Sequence, residues 1–189
     1  METRSYNVYP YDEPTKEQQT KAIERYRDIN TDFDQWHDFI TDEWKVTLDL
    51  LGYSNPEILF SGFSSQGDGA CFTATVDVGR YLAKYKLLKR FKKIYGLISI
   101  KITHNYRYYY AQSTTVEYEL DYNQNLKDEN KAHKLACELA EHIEQDRIKL
   151  GNQIYKDLYR TYSELTSDEA VADTLRGNDY QFTVDGKID

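Results

Sequence analysis

"LISIKITHNYRYYYAQSTTVEYELDY", residues 97–122, decides the fold class. Ile98, Ile100, Ile102, His104, Tyr106, Tyr108 and Tyr110 recur every second position, as do Val116, Tyr118, Leu120 and Tyr122. Successive side chains of a strand point to opposite faces, so each run reads as one covered face of a β-strand. On the other face Lys101 and Arg107 meet Glu117, Glu119 and Asp121 in charge, which predicts cross-strand pairs in water. The turn is expected near Gln112 and Ser113. Two strands joined this closely are antiparallel.

A second hairpin lies upstream. "EILFSGF" (57–63) and "ACFTATVDV" (70–78) are strand-like, and Phe72, Ala74, Val76 and Val78 alternate with Cys71, Thr73, Thr75 and Asp77. Between them, Gly67, Asp68 and Gly69 tolerate positive φ and allow a tight turn. "SGFSSQG" does not match the G-x-S-x-G nucleophile elbow, and it leads into a strand rather than a helix. The phosphate-loop pattern G-x-x-x-x-G-K-[ST] is absent. Three readings stay open for this loop. It is a turn only, or Ser64, Ser65, Gln66 and Asp68 present their hydrogen-bonding groups to a ligand or partner, or residues 64–68 carry a catalytic site.

The remaining segments are helical. "SYNVYPY" (5–11) alternates as a first strand, then Thr15 and Gln18 form a capping-box pattern before Ala22, Ile23, Tyr26 and Ile29. Thr31 with Asp34 suggests a second cap, opening a helix whose Phe33, Trp36, Phe39, Ile40, Trp44, Leu48 and Leu51 face the core. Gly52 and Pro56 end it. "GRYLAKYKLLKRFKKIYG" (79–96) reads as one basic amphipathic helix, with Leu82, Tyr85, Leu88 and Phe91 along one side. Residues 128–165 carry a long stripe of Leu135, Leu139, Ile143, Leu150, Ile154 and Leu158, with Gly151 as a bend or break. Thr166 and Glu169 suggest a capping box for a short helix ending at Gly177, and "DYQFTVDGK" gives a last short strand. The sum is one α+β domain: an antiparallel sheet of hairpins packed by helices on one side, with a long helix in the C-terminal half.

Composition narrows the function. A net charge of −8 disfavours nonspecific binding to nucleic acid or membranes and leaves direct nucleic-acid binding unexpected. No window approaches a membrane span, and "METRSYNVYPYDEP" lacks the apolar core of a secretory signal, so a cytoplasmic protein is expected. Two distant cysteines, Cys71 and Cys137, make no zinc framework and read as reduced apolar residues. His37, His104, His133 and His142 sit at no metal-ligand spacing, so neither metal nor cofactor is expected. Eighteen tyrosines in 189 residues fit an interface, a base-stacking surface, or a partly wet sheet face. Lys84, Lys86, Lys89, Arg90, Lys92 and Lys93 form a positive island in this acidic chain, a solvated helix face or a site for an anionic ligand or acidic partner. Lys89, Arg90, Lys92 and Lys93 are the four that bear on a nucleotide. With Tyr106, Tyr108 and Tyr109 they could hold a nucleotide if the fold brings the two groups together.

Three segments carry a family resemblance: "YNVYPYDEPTKEQQTKAIERYRDIN" (6–30), "FSGFSSQGDGACF" (60–72) and "YSELTSDEAVADTLRGNDYQFTVDGK" (162–187). Together they resemble a family of small bacteriophage and prophage proteins often labelled "antitoxin of toxin–antitoxin stability system". The loop and the tail are the most specific parts. "YDEPTKEQ" (11–18) departs from the family, whose members tend to have a Leu-Ser helix start, which should alter the cap and not the fold. The resemblance transfers no catalytic residues. It implies a phage accessory protein in the bacterial cytoplasm and points toward neutralising a host toxin or immune factor. Together with the absence of a catalytic constellation and the many tyrosines, this makes the leading expectation a non-enzymatic protein that sequesters a host toxin or immune effector or a small nucleotide signal. The alternatives are an acidic nucleic-acid mimic that inhibits a DNA-binding host enzyme, and a small nucleotide- or peptide-acting enzyme. Tyrosine-rich faces and a long helix also leave a homodimer open.

Overall fold

The structure, a computed structural model, describes residues 7–121 and 128–188. It is α+β, with one antiparallel sheet of two strands, another of four, and a long helix, α5, at Glu129–Leu165. The expected strand residues Ser5, Tyr6 and Tyr122 lie outside the described residues. The chain divides into two compact units. One comprises Met1–Asp38 with Tyr159–Asp189, the other Phe39–Leu158, and α5 contributes to both.

In the first unit, β1 (Tyr9–Pro10) pairs antiparallel with β6 (Gln181–Phe182). α1 (Lys16–Arg25) starts with the predicted box: Gln18 N–H donates to Thr15 Oγ1, and Thr15 N–H donates back to Gln18 Oε1 at 2.9 Å. α6 (Asp168–Gly177) is capped by Ser167, one residue later than expected. Ser167 Oγ accepts from Ala170 N–H, whereas the Thr166 hydroxyl turns back to the Tyr162 carbonyl at 2.8 Å. Tyr11, Ala22, Val171, Leu175 and Phe182 form the core of this unit.

The second unit is built on the four-stranded sheet, in the order β2-β3-β4-β5. α2 (Asp38–Leu51) precedes β2 (Tyr53–Phe60), which starts four residues before the expected strand. Pro56 is no stop signal here. It sits on an edge strand at a register irregularity between Ser54 and Glu57, where a missing N–H breaks no ladder bond. The expected cap at Thr31 is not formed, since its hydroxyl donates to the Asp28 carbonyl at 3.2 Å. Instead a 3-10 turn, Asp34–His37, leads into α2. Only part of the expected core face of α2 is covered: Ile40 and Leu48 are buried, while Phe33 and Phe39 stand in solvent.

β3 (Ala70–Val76) and β4 (Ile98–His104) continue the sheet to β5 (Thr114–Leu120). Ile98, Ile100 and Ile102 oppose Leu120, Tyr118 and Val116, and on the other face Lys101 opposes Glu117, as the alternation required. The strands are shorter than predicted. β4 stops at His104, so Tyr106 to Tyr110 and Arg107 belong to a loop, not to a strand face. β3 likewise stops at Val76, and Val78 opens a helix rather than ending a strand.

The expected basic helix is two helices, α3 (Val78–Lys84) and α4 (Leu88–Phe91). Asp77 caps α3 by accepting from Arg80 N–H at 3.0 Å. The helix ends in a Schellman motif: Leu87 N–H reaches the Leu82 carbonyl, Lys86 N–H the Ala83 carbonyl, and Lys86 takes φ +60°. Glycine usually holds that position, which is why the break is invisible in the sequence.

α5 runs unbroken through Gly151. Its buried residues Ala132, Ala136, Leu139, Ile143, Arg147, Gly151, Ile154 and Leu158 recur at steps of three and four. Gly151 is a close-packing site: a Cβ there would stand 3.1 Å from Ala111 Cβ and from the Ala70 carbonyl oxygen. Among the described residues no helix is long and apolar enough to cross a membrane.

A candidate binding surface at one end of the sheet

Two loops meet at the sheet end where β3 begins and β4 stops, residues 61–69 and 105–113. The first is a nine-residue connection rather than the tight turn expected. Asp68 organises it from within: its Oδ2 accepts from Ser64 N–H at 2.9 Å and from Ser65 N–H at 2.6 Å. A carboxylate bound to its own loop's amides is a turn-forming device. Asp68 is thus committed to the turn, while the side chains of Ser64, Ser65 and Gln66 face solvent.

The second loop lies against the first. Gly67 has φ +93°, and a Cβ there would come within 2.9 Å of Tyr108 Cγ, so the tyrosine ring rests on bare backbone. A Cβ at Gly69 would stand 2.5 Å from Tyr110 Cα. Only glycine allows these loops to approach so closely. His104 Nε2 lies 2.9 Å from the Tyr108 carbonyl, and its ring packs 5.2 Å from that of Tyr109. The result is a supported aromatic patch in water, with Tyr106 56% and Tyr108 47% exposed and Tyr109 half-buried.

Arg147 anchors this patch from α5. It is 3% exposed, and its Nη1 donates to the Ala111 carbonyl at 2.7 Å and to Thr114 Oγ1 at 2.9 Å. Its Nε donates to Glu144 Oε2 at 2.8 Å, and Nη2 donates to Glu144 Oε1. Sequence reasoning missed Arg147, because arginine is rarely buried unless paired. Its place four residues after Ile143 and four before Gly151, on the buried stripe, was the available signal.

The basic residues do not join the tyrosines. Lys89 and Arg90 lie on α4 and Lys93 just after it, all exposed. Arg90 Nη2 pairs with Glu138 at 3.0 Å, whereas Gly151 of the same helix touches the loop base at Ala111. Thirteen residues of helix separate the two contacts by about 20 Å. The composite cation–tyrosine site considered from the sequence does not form from these residues.

A polar cluster lies inside the same unit. Asp146 Oδ2 accepts from Tyr53 OH at 2.8 Å, from Tyr81 OH at 3.4 Å and from Tyr85 OH. Tyr81 OH also lies 2.9 Å from His142 Nδ1. Burial drives the acidity of all three phenols down, raising their pKa, and the Asp146 carboxylate adds to this. Burial likewise lifts the Cys71 thiol from 9.0 to about 11, against the pull of Arg147. These groups ionise more readily once unfolded, so their protonated forms favour the fold. Their stabilisation is intact below the unfolded thiol value near 9 and is lost as pH climbs through 11 and beyond. Circular dichroism should therefore show unfolding in that alkaline range. The last increment of tyrosinate absorbance, from Tyr53, Tyr81 and Tyr85, should appear together with the loss of helix, and full ionisation of all eighteen tyrosines in a still-folded chain would contradict the assignment.

Among the described residues no group of three or more His, Cys, Asp or Glu side chains is placed to hold a metal ion. The model of a domain of unknown function, DUF8835, matches residues 36–168. The chain belongs to this family. The DUF8835 match takes in the whole second unit, and with it both loops, Arg147 and the tyrosine–Asp146 cluster. No curated protein and no solved structure matches the chain.

Proposed function

We propose that this DUF8835 protein is a non-enzymatic accessory protein of phage or prophage origin. It neutralises a bacterial toxin or anti-phage defence protein by sequestering it, and the paired loops 61–69 and 105–113 form the contact surface. The carrying observation is the exposure of Tyr106 and Tyr108 on backbone held by Gly67, Gly69 and Arg147. Rigid tyrosines offer large contact area with little entropy to lose on binding, and such anchors dominate interface energies. The resemblance of the loop and tail to phage proteins supplies the biological setting. The separation of Arg90 from Tyr108 favours a protein target over a nucleotide signal.

The test is capture from bacterial lysate on the tagged full chain, with mass spectrometry of retained proteins and of heat-released small molecules. One host protein at near-stoichiometric yield is expected. Tyr106→Ala with Tyr108→Ala should weaken its retention at least about tenfold while leaving the circular dichroism spectrum unchanged. Equal retention by the double variant would remove these loops from the interface. A released nucleotide without a protein would overturn the choice of target.

A further inference from the structure

α2 is apolar on two sides, and only one is covered. Ile40 and Leu48 are buried, and Trp44 Nε1 donates to Asp157 Oδ2 at 3.2 Å. On the other side Phe39, Val46 and Leu50 are 73%, 62% and 66% exposed. At about 100° per residue these three fall within about 40° of one another, forming a straight stripe along three turns of helix. A helix apolar around its circumference is normally covered all round, and a contiguous apolar patch in water marks an interaction surface. Phe39, Val46 and Thr47 line an open groove with Asp42 and Glu43.

The margins of the stripe say what fits. Glu43 borders one edge, and Asp42 and Asp49 border the other. Lys45 and Arg80 answer Asp42 and Asp49 from the outer side of that edge. Two copies of a chain of net charge −8 repel one another, and Glu43, the margin acid that neither Lys45 nor Arg80 answers, would add to that repulsion. A basic partner suffers no such repulsion. The geometry points to α2 as the docking site for an amphipathic helix of a partner protein. That helix would lay an apolar face on Phe39, Val46 and Leu50 and set a lysine or arginine against Glu43. The stripe shares no residue with the tyrosine loops, and the proposal stands whether or not they bind a toxin.

The experiment is fluorescence anisotropy on the full chain. The probe is a fluorescein-labelled peptide of about five helical turns with a leucine face flanked by lysines. A matched peptide with glutamates in place of the lysines is the control. The lysine peptide should bind, and Phe39→Ser with Val46→Ser and Leu50→Ser, which keeps every charge, should weaken it about 30-fold. Val46→Lys alone, on a solvent face that folding does not need, should weaken it about tenfold. Tyr106→Ala with Tyr108→Ala should leave it unchanged. Three results would each overturn the proposal: no binding of the lysine peptide, equal binding of the glutamate peptide, or equal binding by the triple variant. Sedimentation showing self-association that the triple variant abolishes would assign the stripe to a second copy instead.

Discussion

Replacing Arg147 by methionine is expected to lower the free energy of unfolding by about 3 kcal/mol. The ion pair with Glu144 is not the main source of that loss. Glu144 keeps 36% of its side chain in water, and a half-buried pair contributes little net energy once desolvation is counted. The loss comes from the acceptors left behind. The Ala111 carbonyl and the buried Thr114 hydroxyl both receive protons from Nη1, and methionine returns neither. An orphaned buried acceptor costs about 1–3 kcal/mol. Arg147→Lys keeps the charge but not the fork, and should recover less than half. Urea unfolding followed by circular dichroism reads both variants. A change under about 0.5 kcal/mol for the methionine variant would mean that water already serves these acceptors. Because residues 111–114 close the tyrosine loop, the same variant should also weaken partner capture.

Gly52→Ala is expected to cost about 3 kcal/mol or more. Gly52 joins α2 to β2 with φ +99°, a region that side-chain-bearing residues rarely enter. A Cβ there would stand 2.6 Å from Tyr81 N and 2.9 Å from Tyr81 Cα. Both are backbone atoms, so no rotamer change relieves the clash. Moving the α3 backbone would also disturb the Asp77 N–H bond to the Gly52 carbonyl at 2.8 Å and shift the Tyr81 hydroxyl from Asp146 and His142. Gly177, at the end of α6 with nothing near its would-be Cβ, is the contrast. Gly177→Ala should be neutral or stabilising by up to about 1 kcal/mol. Thermal and urea unfolding of the two variants should diverge in this way, and similar values for both would contradict the steric argument.

Much of the fold is legible in the sequence. Alternation at Ile98, Ile100 and Ile102 against Val116, Tyr118 and Leu120 set the hairpin and its faces, because a one-residue slip would turn every apolar side chain to water. The register, centred on Tyr109 rather than on the turn expected near Gln112 and Ser113, was not legible, since a slip of two keeps the faces. Thr15 and Gln18 set the start of α1, since capping is local chemistry between residues three apart. The stripe of α5 was legible in part: Leu139, Ile143, Ile154 and Leu158 are buried as expected, while Leu135 and Leu150 are half-buried beside it. The extents were not legible. His104 to Tyr110 keep the alternation of a strand, yet β4 stops at His104 because the chain turns to pack Tyr108 and Tyr110 on Gly67 and Gly69. Nothing in that alternation announces partners so distant along the chain.

The candidate site was half legible. The glycine-rich loop and the tyrosines were conspicuous separately, but their contact is a tertiary fact. So is the distance from Arg90 to that contact, set by the length of α5. Asp68 was conspicuous as a hydrogen-bonding group, but that its Oδ2 accepts from the Ser64 and Ser65 amides is a local geometry the sequence did not announce.

By itself the sequence determined the α+β class, the faces of the hairpin, the first cap and the long helical stripe. Each depends on interactions within a few residues or on a repeating face. The tertiary structure alone decided four matters: which face of α2 is covered, that Arg147 is buried, that three tyrosines share Asp146, and which loops meet. Periodicity reports that a face is apolar. It does not report what lies opposite, and burial, pairing and acidity depend on what lies opposite.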